Sequence, residues 1–363
     1  MKITQVISDT NVGGAGVLLS SIVSSLEKKF DFDVILPRES ALIERMKFER
    51  ARVIVADTLG DASFSARDAM SFYKLFKSSP PDVIHTHASL SARVGGLHAG
   101  VKNLLSTRHC AKGGSSTPSR LLQKMYSAYT THTVSTADAA TRDLISEGVA
   151  PCRITTIKNG SRAVEKISPA RRLELLSELG IEGGAPIVGC CARIEEVKGQ
   201  DLLLRAIPKV LEKHPCTYFL FVGDGKERKK CEQLAATLGV GGRVKFVGYT
   251  PRAGEYENLF LINVNPSRGT ETSCLVTSEC MSLGIPTVAS DFGGNCEMVK
   301  DGVCGLIFQS ENAHELSDKI NLLLSDKQLC ERLSLGARAR FLEEFSLERM
   351  ARDYERLYLS LCR

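Results

Sequence analysis

Asn265-Pro266-Ser267-Arg268-Gly269-Thr270-Glu271-Thr272-Ser273-Cys274-Leu275-Val276-Thr277-Ser278-Glu279-Cys280-Met281-Ser282-Leu283-Gly284-Ile285-Pro286-Thr287-Val288-Ala289-Ser290 is the stretch whose pattern decides the fold. The apolar run Leu261–Asn265 predicts a strand, the polar residues after it a loop, Leu275–Leu283 a helix and Thr287–Ala289 a second strand. A strand, a crossover helix and another strand make a parallel pair, and a parallel sheet is covered on both faces. Glu271 in the loop and Glu279 in the helix are separated by seven residues. A helix beginning near Ser273 aims the free N–H groups of Ser273, Cys274, Leu275 and Val276 at an anion, outside the carboxyl ends of the strands. Glu271 could then accept hydrogen bonds from sugar hydroxyls and Glu279 from a ribose. Taken alone, both carboxylates also read as a solvated helix face.

The same alternation extends outward. Ile187–Ala192 predicts the first strand of this half, followed by a helix over Gln200–Lys213, a strand at Tyr218–Val222, a helix over Lys226–Leu238 and a strand at Val244–Val247. The loop after the first strand reads Ala192-Arg193-Ile194-Glu195-Glu196-Val197-Lys198-Gly199 and carries two cations. Arg193 offers a fork of donors and Lys198 a point charge, which suits them to a departing diphosphate; an exposed basic pair is the other reading.

The first half repeats the pattern with strands at Ile3–Ile7, Phe32–Leu36, Val53–Val55 and Val83–His85 and a helix through Gly16–Lys28. Asn11-Val12-Gly13-Gly14-Ala15-Gly16 lies between the first strand and helix, where glycines let backbone approach a phosphate, or simply make a tight turn. The fold class is therefore α/β, with two doubly wound domains. The turn signal Asn159-Gly160 puts the boundary near Gly160–Ile167, giving an N-terminal domain over residues 1–165 and a C-terminal domain over 166–340. Residues 341–363 are expected as a helix packing back on the first domain.

Composition agrees with a soluble, core-forming chain: of 363 residues, 43% are hydrophobic and 25% charged. The N-terminus lacks the apolar run of a signal peptide, and no segment approaches the ~20 apolar residues needed to span a bilayer, so a cytoplasmic location is expected. None of the 12 cysteines falls in a Cys-x-x-Cys pair, which favours reduced, buried thiols over a zinc site. The net charge of +5 is uneven: Val83 to Ala137 contains no acidic residue but holds Arg93, Lys102, Arg108, Lys112, Arg120 and Lys124. This basic 93–124 region reads either as a solvated face or as a surface for a pyrophosphate, a lipid-phosphate acceptor or an anionic membrane at its inner face. Nucleic acid is excluded as a partner by the 6% aromatic content and the absence of Trp. His85-Thr86-His87 sets two imidazoles on one side of a strand, open to three readings: a metal pair, contacts to an acceptor, or packing. His98, His132, His214 and His314 read as structural.

Taken together, these pieces resemble retaining glycosyltransferase family four, over nearly the whole chain. Glu271 and Glu279 match its paired glutamates, Arg193 and Lys198 its donor-phosphate cations, and Gly13-Gly14 its N-terminal glycine loop. Thr156-Ile157-Lys158-Asn159-Gly160, Val222-Gly223-Asp224-Gly225, Leu283 to Ser290 and Gly293-Gly294-Asn295-Cys296-Glu297 agree as well. Ser273-Cys274 stands where the family commonly has Phe-Gly. Leu105-Ser106-Thr107-Arg108-His109 resembles the segment whose histidine faces the donor sugar, a role carried over to His109.

The resemblance implies a GT-B fold, with two Rossmann-like domains facing across a cleft and closing about 159–167. It also implies retention by front-face attack without a covalent nucleophile, and a nucleotide-diphosphate sugar, by preference a UDP-sugar, as donor with no cofactor or metal. The acceptor would be a saccharide or a lipid-linked molecule, as in polysaccharide and cell-envelope synthesis. Two other readings are a nucleotide-sugar epimerase of similar fold and a nonenzymatic nucleotide-sugar-binding protein.

Overall fold

Short apolar runs became the strands and the 3.6-residue periodicities the helices. The computed structural model describes residues 1–11, 13–58, 63–109, 126–269 and 274–362. The chain divides into two compact units, Met1–Gly160 with Leu347–Arg363, and Ser161–Ser346.

In the first unit the strands are β1 (Lys2–Ile7), β2 (Asp31–Pro37), β3 (Arg52–Ala56), β4 (Val83–His87), β5 (Asn103–Arg108), β6 (His132–Ser135) and β7 (Ile154–Thr156). They form one sheet in the order β3-β2-β1-β4-β5-β6-β7, every described pairing parallel. On one face Ile3, Ile7, Val83 and Leu105 pack with Leu18, Ile22 and Val23 of the helix Gly14–Leu26 and with Met350, Tyr354 and Tyr358 of the helix Leu347–Leu361. On the other, Val6, Ile35 and Ile84 pack with Phe72 and Phe76 of the helix Ala66–Ser78. Only Thr156 of the expected strand-like Thr156–Gly160 is in a strand; the rest is irregular backbone.

The second unit contains β8 (Ile187–Cys191), β9 (Tyr218–Val222), β10 (Val244–Gly248), β11 (Ile262–Asn265), β12 (Thr287–Ser290) and β13 (Gly305–Phe308), in the order β10-β9-β8-β11-β12-β13. Their described pairings are also parallel. This is the Rossmann order, with a switch point between β8 and β11 as there is between β1 and β4 above. The unit runs to Ser346 rather than to 340, because Phe341 and Phe345 are buried with Met281, Ala289 and Met298 in its core. The helix Leu347–Leu361 then belongs to the first unit.

Two expected surface cations are internal. Arg93 is 5% exposed, hydrogen-bonds Thr130 and lies 6.0 Å from the Tyr126 ring, and burial holds its guanidinium down to about 10. Arg108 makes a two-pronged contact at 3.0 and 3.2 Å with the buried carboxylate of Glu147. The six-cation face read from the sequence is corrected accordingly: both side chains serve the unit's own packing and ion pairing. Lys102 is exposed, while Lys112, Arg120 and Lys124 lie outside the described residues. No helix among the described residues is long and apolar enough to cross a membrane.

Candidate donor-binding site

Two strands that pair across a switch point bring their following loops together. The ends of β8 and β11 do this in the second unit, where a small pocket is lined by Cys190, Cys191, Ala192, Lys198, Asn263–Ser267, Cys274, Val276 and Thr277. Glycines set the loops that border it. A Cβ on Gly223 would meet the carbonyl oxygen of Ala192 at 2.1 Å, and one on Gly225 that of Ile194 at 2.2 Å. Ile194 N–H donates to Asp224 O at 2.9 Å, and Glu227 N–H to Ile194 O at 3.1 Å. The Gly223-Asp224-Gly225 motif thus serves as the bed on which the loop carrying Arg193 lies.

The loop after β11 is fixed from beneath by a buried polar network. Asn265 Nδ2 donates to Asn295 Oδ1 at 2.9 Å, and Asn295 Nδ2 to Ser290 Oγ at 3.0 Å. Ser290 Oγ donates to Ser267 O at 2.6 Å, and Ser267 N–H returns to Asn265 Oδ1 at 3.3 Å. Most buried polar groups in folded proteins are hydrogen-bonded in this way. The sequence reading missed Asn265, Ser267 and Ser290 as site-shaping residues and took Asn295 only as part of a motif; a run of short polar residues at strand ends was the available signal.

The expected donor residues are distributed as follows. Lys198, Cys274 and Val276 line the one pocket, and Leu275 opens the helix Leu275–Ser282, whose extended N-cap is Cys274. Arg193 is exposed and donates to Glu195 Oε1 at 2.9 Å, outside the pocket lining. Glu279, mostly buried, is pushed up by burial. Its neighbour Glu257 is fully buried, and burial first, then the charge of Glu279, raises it to about 8. Glu271 and Ser273 lie outside the described residues.

In the first unit, Gly13 is the N-cap of the helix Gly14–Leu26 with ordinary negative φ, and a Cβ on Gly13 or Gly14 would meet nothing within 4 Å. Packing inside the unit therefore gives no reason for glycine at either position, unlike Gly16, whose Cβ would meet Leu42 at 2.5 Å. His109 Nε2 lies 2.8 Å from His87 Nδ1, and burial pushes the His109 imidazole down to about 4. The metal-pair reading of His85 and His87 is corrected: each of their four ring nitrogens hydrogen-bonds a neighbouring side chain. Among the described residues no group of His, Cys, Asp and Glu has the arrangement of a metal site.

Two family profiles match the chain in tandem, Glycosyltransferase Family 4 over residues 12–161 and Glycosyl transferases group 1 over residues 172–340. The chain belongs to glycosyltransferase family four. The D-inositol 3-phosphate glycosyltransferase of Nocardia farcinica is 30% identical over 284 residues, which cover 70% of this chain and 61% of that protein. Spore coat protein SA of Bacillus subtilis is 31% identical over 199 residues, 52% of each chain. The match thus spans 52% to 61% of the length of these two relatives. The crystal structure of Anabaena HepE in complex with UDP and glucose covers 99% of this chain and 100% of that one, with a TM-score of 0.83 at 23% identity. The GT-B fold expected of the family-four resemblance is the one observed, with two parallel, doubly wound sheets.

Proposed function

We propose that this protein is a retaining glycosyltransferase that moves a hexose or N-acetylhexosamine from a UDP-sugar to a saccharide or lipid-linked acceptor without a metal. The observation that carries the reading is the pocket at the ends of β8 and β11, which unites Lys198 with the start of the helix Leu275–Ser282 in a chain of this family. Uridine is preferred because HepE was crystallised with UDP and glucose.

Transfer requires the bond between the anomeric carbon and the diphosphate oxygen to break and a bond from the acceptor oxygen to form. Negative charge grows on the diphosphate and positive charge on the sugar ring. The ammonium of Lys198 and the positive N-terminal end of the helix Leu275–Ser282 stabilise the first, a kind of preorganised electrostatics worth several powers of ten in rate. Arg193 adds charge on the same loop. Glu271 and His109 orient the sugar, and Glu279 accepts from the ribose. Gly13 and Gly14 let backbone approach the donor. In front-face transfer the acceptor proton passes to a phosphate oxygen of the leaving group, so no protein base is needed.

The test is UDP release from UDP-glucose, UDP-galactose and UDP-N-acetylglucosamine, with and without saccharide and lipid-phosphate acceptors, and the anomeric configuration of the product by NMR. Acceptor-dependent release with retention is expected. Release without acceptor and with an altered sugar marks an epimerase, binding without turnover marks a binding protein, and inversion removes the front-face mechanism.

A further inference from the structure

Hydrogen bonds link a chain of neutral side chains across one face of the first sheet. Gln5 stands opposite His85 in the pairing of β1 with β4, and His87 opposite Thr107 in that of β4 with β5. Because strand side chains alternate, Gln5, His85, His87 and Thr107 emerge on the same face. The helix Leu347–Leu361 covers that face and places Tyr358 in it, fully buried.

An amide has one donor end and one acceptor end, so the orientation of Gln5, with Nε2 toward Tyr358 and Oε1 toward His87, sets the direction of the whole chain. Gln5 Nε2 donates to Tyr358 Oη at 2.8 Å, which leaves the Tyr358 proton for His85 Nδ1, also at 2.8 Å. His85 then carries its own proton on Nε2 and donates to Thr107 Oγ1 at 2.6 Å. On the other side, Gln5 Oε1 accepts from His87 Nε2 at 3.2 Å. His87 is therefore an acceptor at Nδ1, and His109 must give it the proton on Nε2 across 2.8 Å. The His87 and His109 rings stack with centroids 5.1 Å apart, which sets the plane of His109 as well as its tautomer. Among the described residues, side chains facing His85 and His87 include Gln5 from β1, Thr107 from β5, and Tyr354 and Tyr358 from the covering helix.

We propose that Gln5 and Tyr358 are positioning residues for sugar transfer: acting through His87, they hold His109 neutral with its proton on Nε2. The inference rests on the reading of His109 as the residue that faces the donor sugar. A neutral ring with its lone pair on Nδ1 does not repel the positive charge that develops on the sugar, whereas an imidazolium would. The C-terminal helix, distant in sequence, thereby governs the chemistry of a residue at the end of β5.

The experiment uses the full chain with nitrogen-labelled histidine, whose ring nitrogens report tautomer and charge by NMR without any substrate. His109 is expected as the Nε2–H form. In Gln5→Glu the new carboxylate draws a proton onto His87, whose Nδ1–H then points at His109 and inverts it to the Nδ1–H form. In Gln5→Met, which removes both bonds without adding charge, His109 populates both forms; Tyr358→Phe, which removes the acceptor of Gln5, shifts the balance in the same direction. The kcat for UDP release from UDP-glucose falls about tenfold in Gln5→Glu while KM stays within about twofold.

An unchanged His109 tautomer in Gln5→Met and Tyr358→Phe overturns the proposal, whether or not Gln5→Glu folds. Full activity in His109→Ala defeats the sugar-facing reading instead, and leaves the tautomer result to stand or fall by itself.

Discussion

Gly199 and Pro266 meet where the Lys198 loop crosses the end of β11: a Cβ on Gly199 would lie 2.1 Å from the Pro266 carbonyl oxygen. The residue also has φ +70 and serves as the N-cap of the helix Gln200–Lys213. Lys198 is therefore aimed by a glycine that permits both a left-handed backbone and a close approach. Gly199→Ala is expected to cost at least about 1–3 kcal/mol in urea unfolding and to lower turnover, because the loop must lift away from Pro266. A variant as stable and active as the parent would show that the contact does not set the loop.

Lys198 itself is tested more directly. Lys198→Ala should lower UDP release at least about tenfold, equivalent to about 1.4 kcal/mol or more in the transition state, with unfolding little changed. Lys198→Arg keeps the charge but spreads it over a planar fork, so it should recover only part of the rate. Undiminished kcat in Lys198→Ala would remove the leaving-group role.

How much of this was legible depends on which residues are asked. Tyr218–Val222 and the helix Gln200–Lys213 were read with their observed bounds, because an unbroken apolar run and a strong 3.6-residue period leave little choice. β5 and β6 were not read as strands. Asn103, Ser106, Thr107, Thr133 and Ser135 dilute their apolar signal, and those residues find a place in the sheet through bonds a sequence does not display, such as Ser135 Oγ to Ala137 O at 2.9 Å. Lys198, Cys274 and Val276, singled out by their place in loops and at a helix start, line one pocket. Glu257 was missed, since a carboxylate on a short helix reads as solvated until the fold buries it beside Glu279.

The Asn265–Asn295 bond gives a third test. Asn295→Ala removes the acceptor at 2.9 Å from Asn265 Nδ2 and the donor at 3.0 Å to Ser290 Oγ, both inside the protein. Leaving such groups unsatisfied costs about 1–3 kcal/mol, which chemical denaturation will measure. The same change loosens Asn265, whose Oδ1 accepts from the Ser267 N–H, so donor KM should rise along with the loss of stability. Destabilisation without any change in KM would confine the network to folding.

The two units should respond to pH in opposite directions. Burial pushes His85 down to about 3, His109 to about 4 and His87 well below its ordinary 6.5. Below about 6.5 the unfolded chain takes up protons that the native first unit refuses, so its stability is complete above that pH and is lost as pH falls toward 4 and 3. Each histidine contributes up to about 1.4 kcal/mol per pH unit in that window. Glu257, raised to about 8 by burial and by Glu279, has the reverse sign. The native second unit keeps a proton that the unfolded chain has released, so its contribution is complete below the ordinary 4.5 and is lost as pH rises through about 8. Hydrogen exchange corrected for intrinsic rates should therefore show β4 losing protection from about pH 7 to 5. β8 and β11 should lose it from about pH 5 to 8, and Glu257→Gln should flatten only the second trend. Were protection in β8 and β11 to rise over that range instead, Glu257 would have to be ionised in the native protein, and the protonated carboxyl beside Glu279 would have no place in the site.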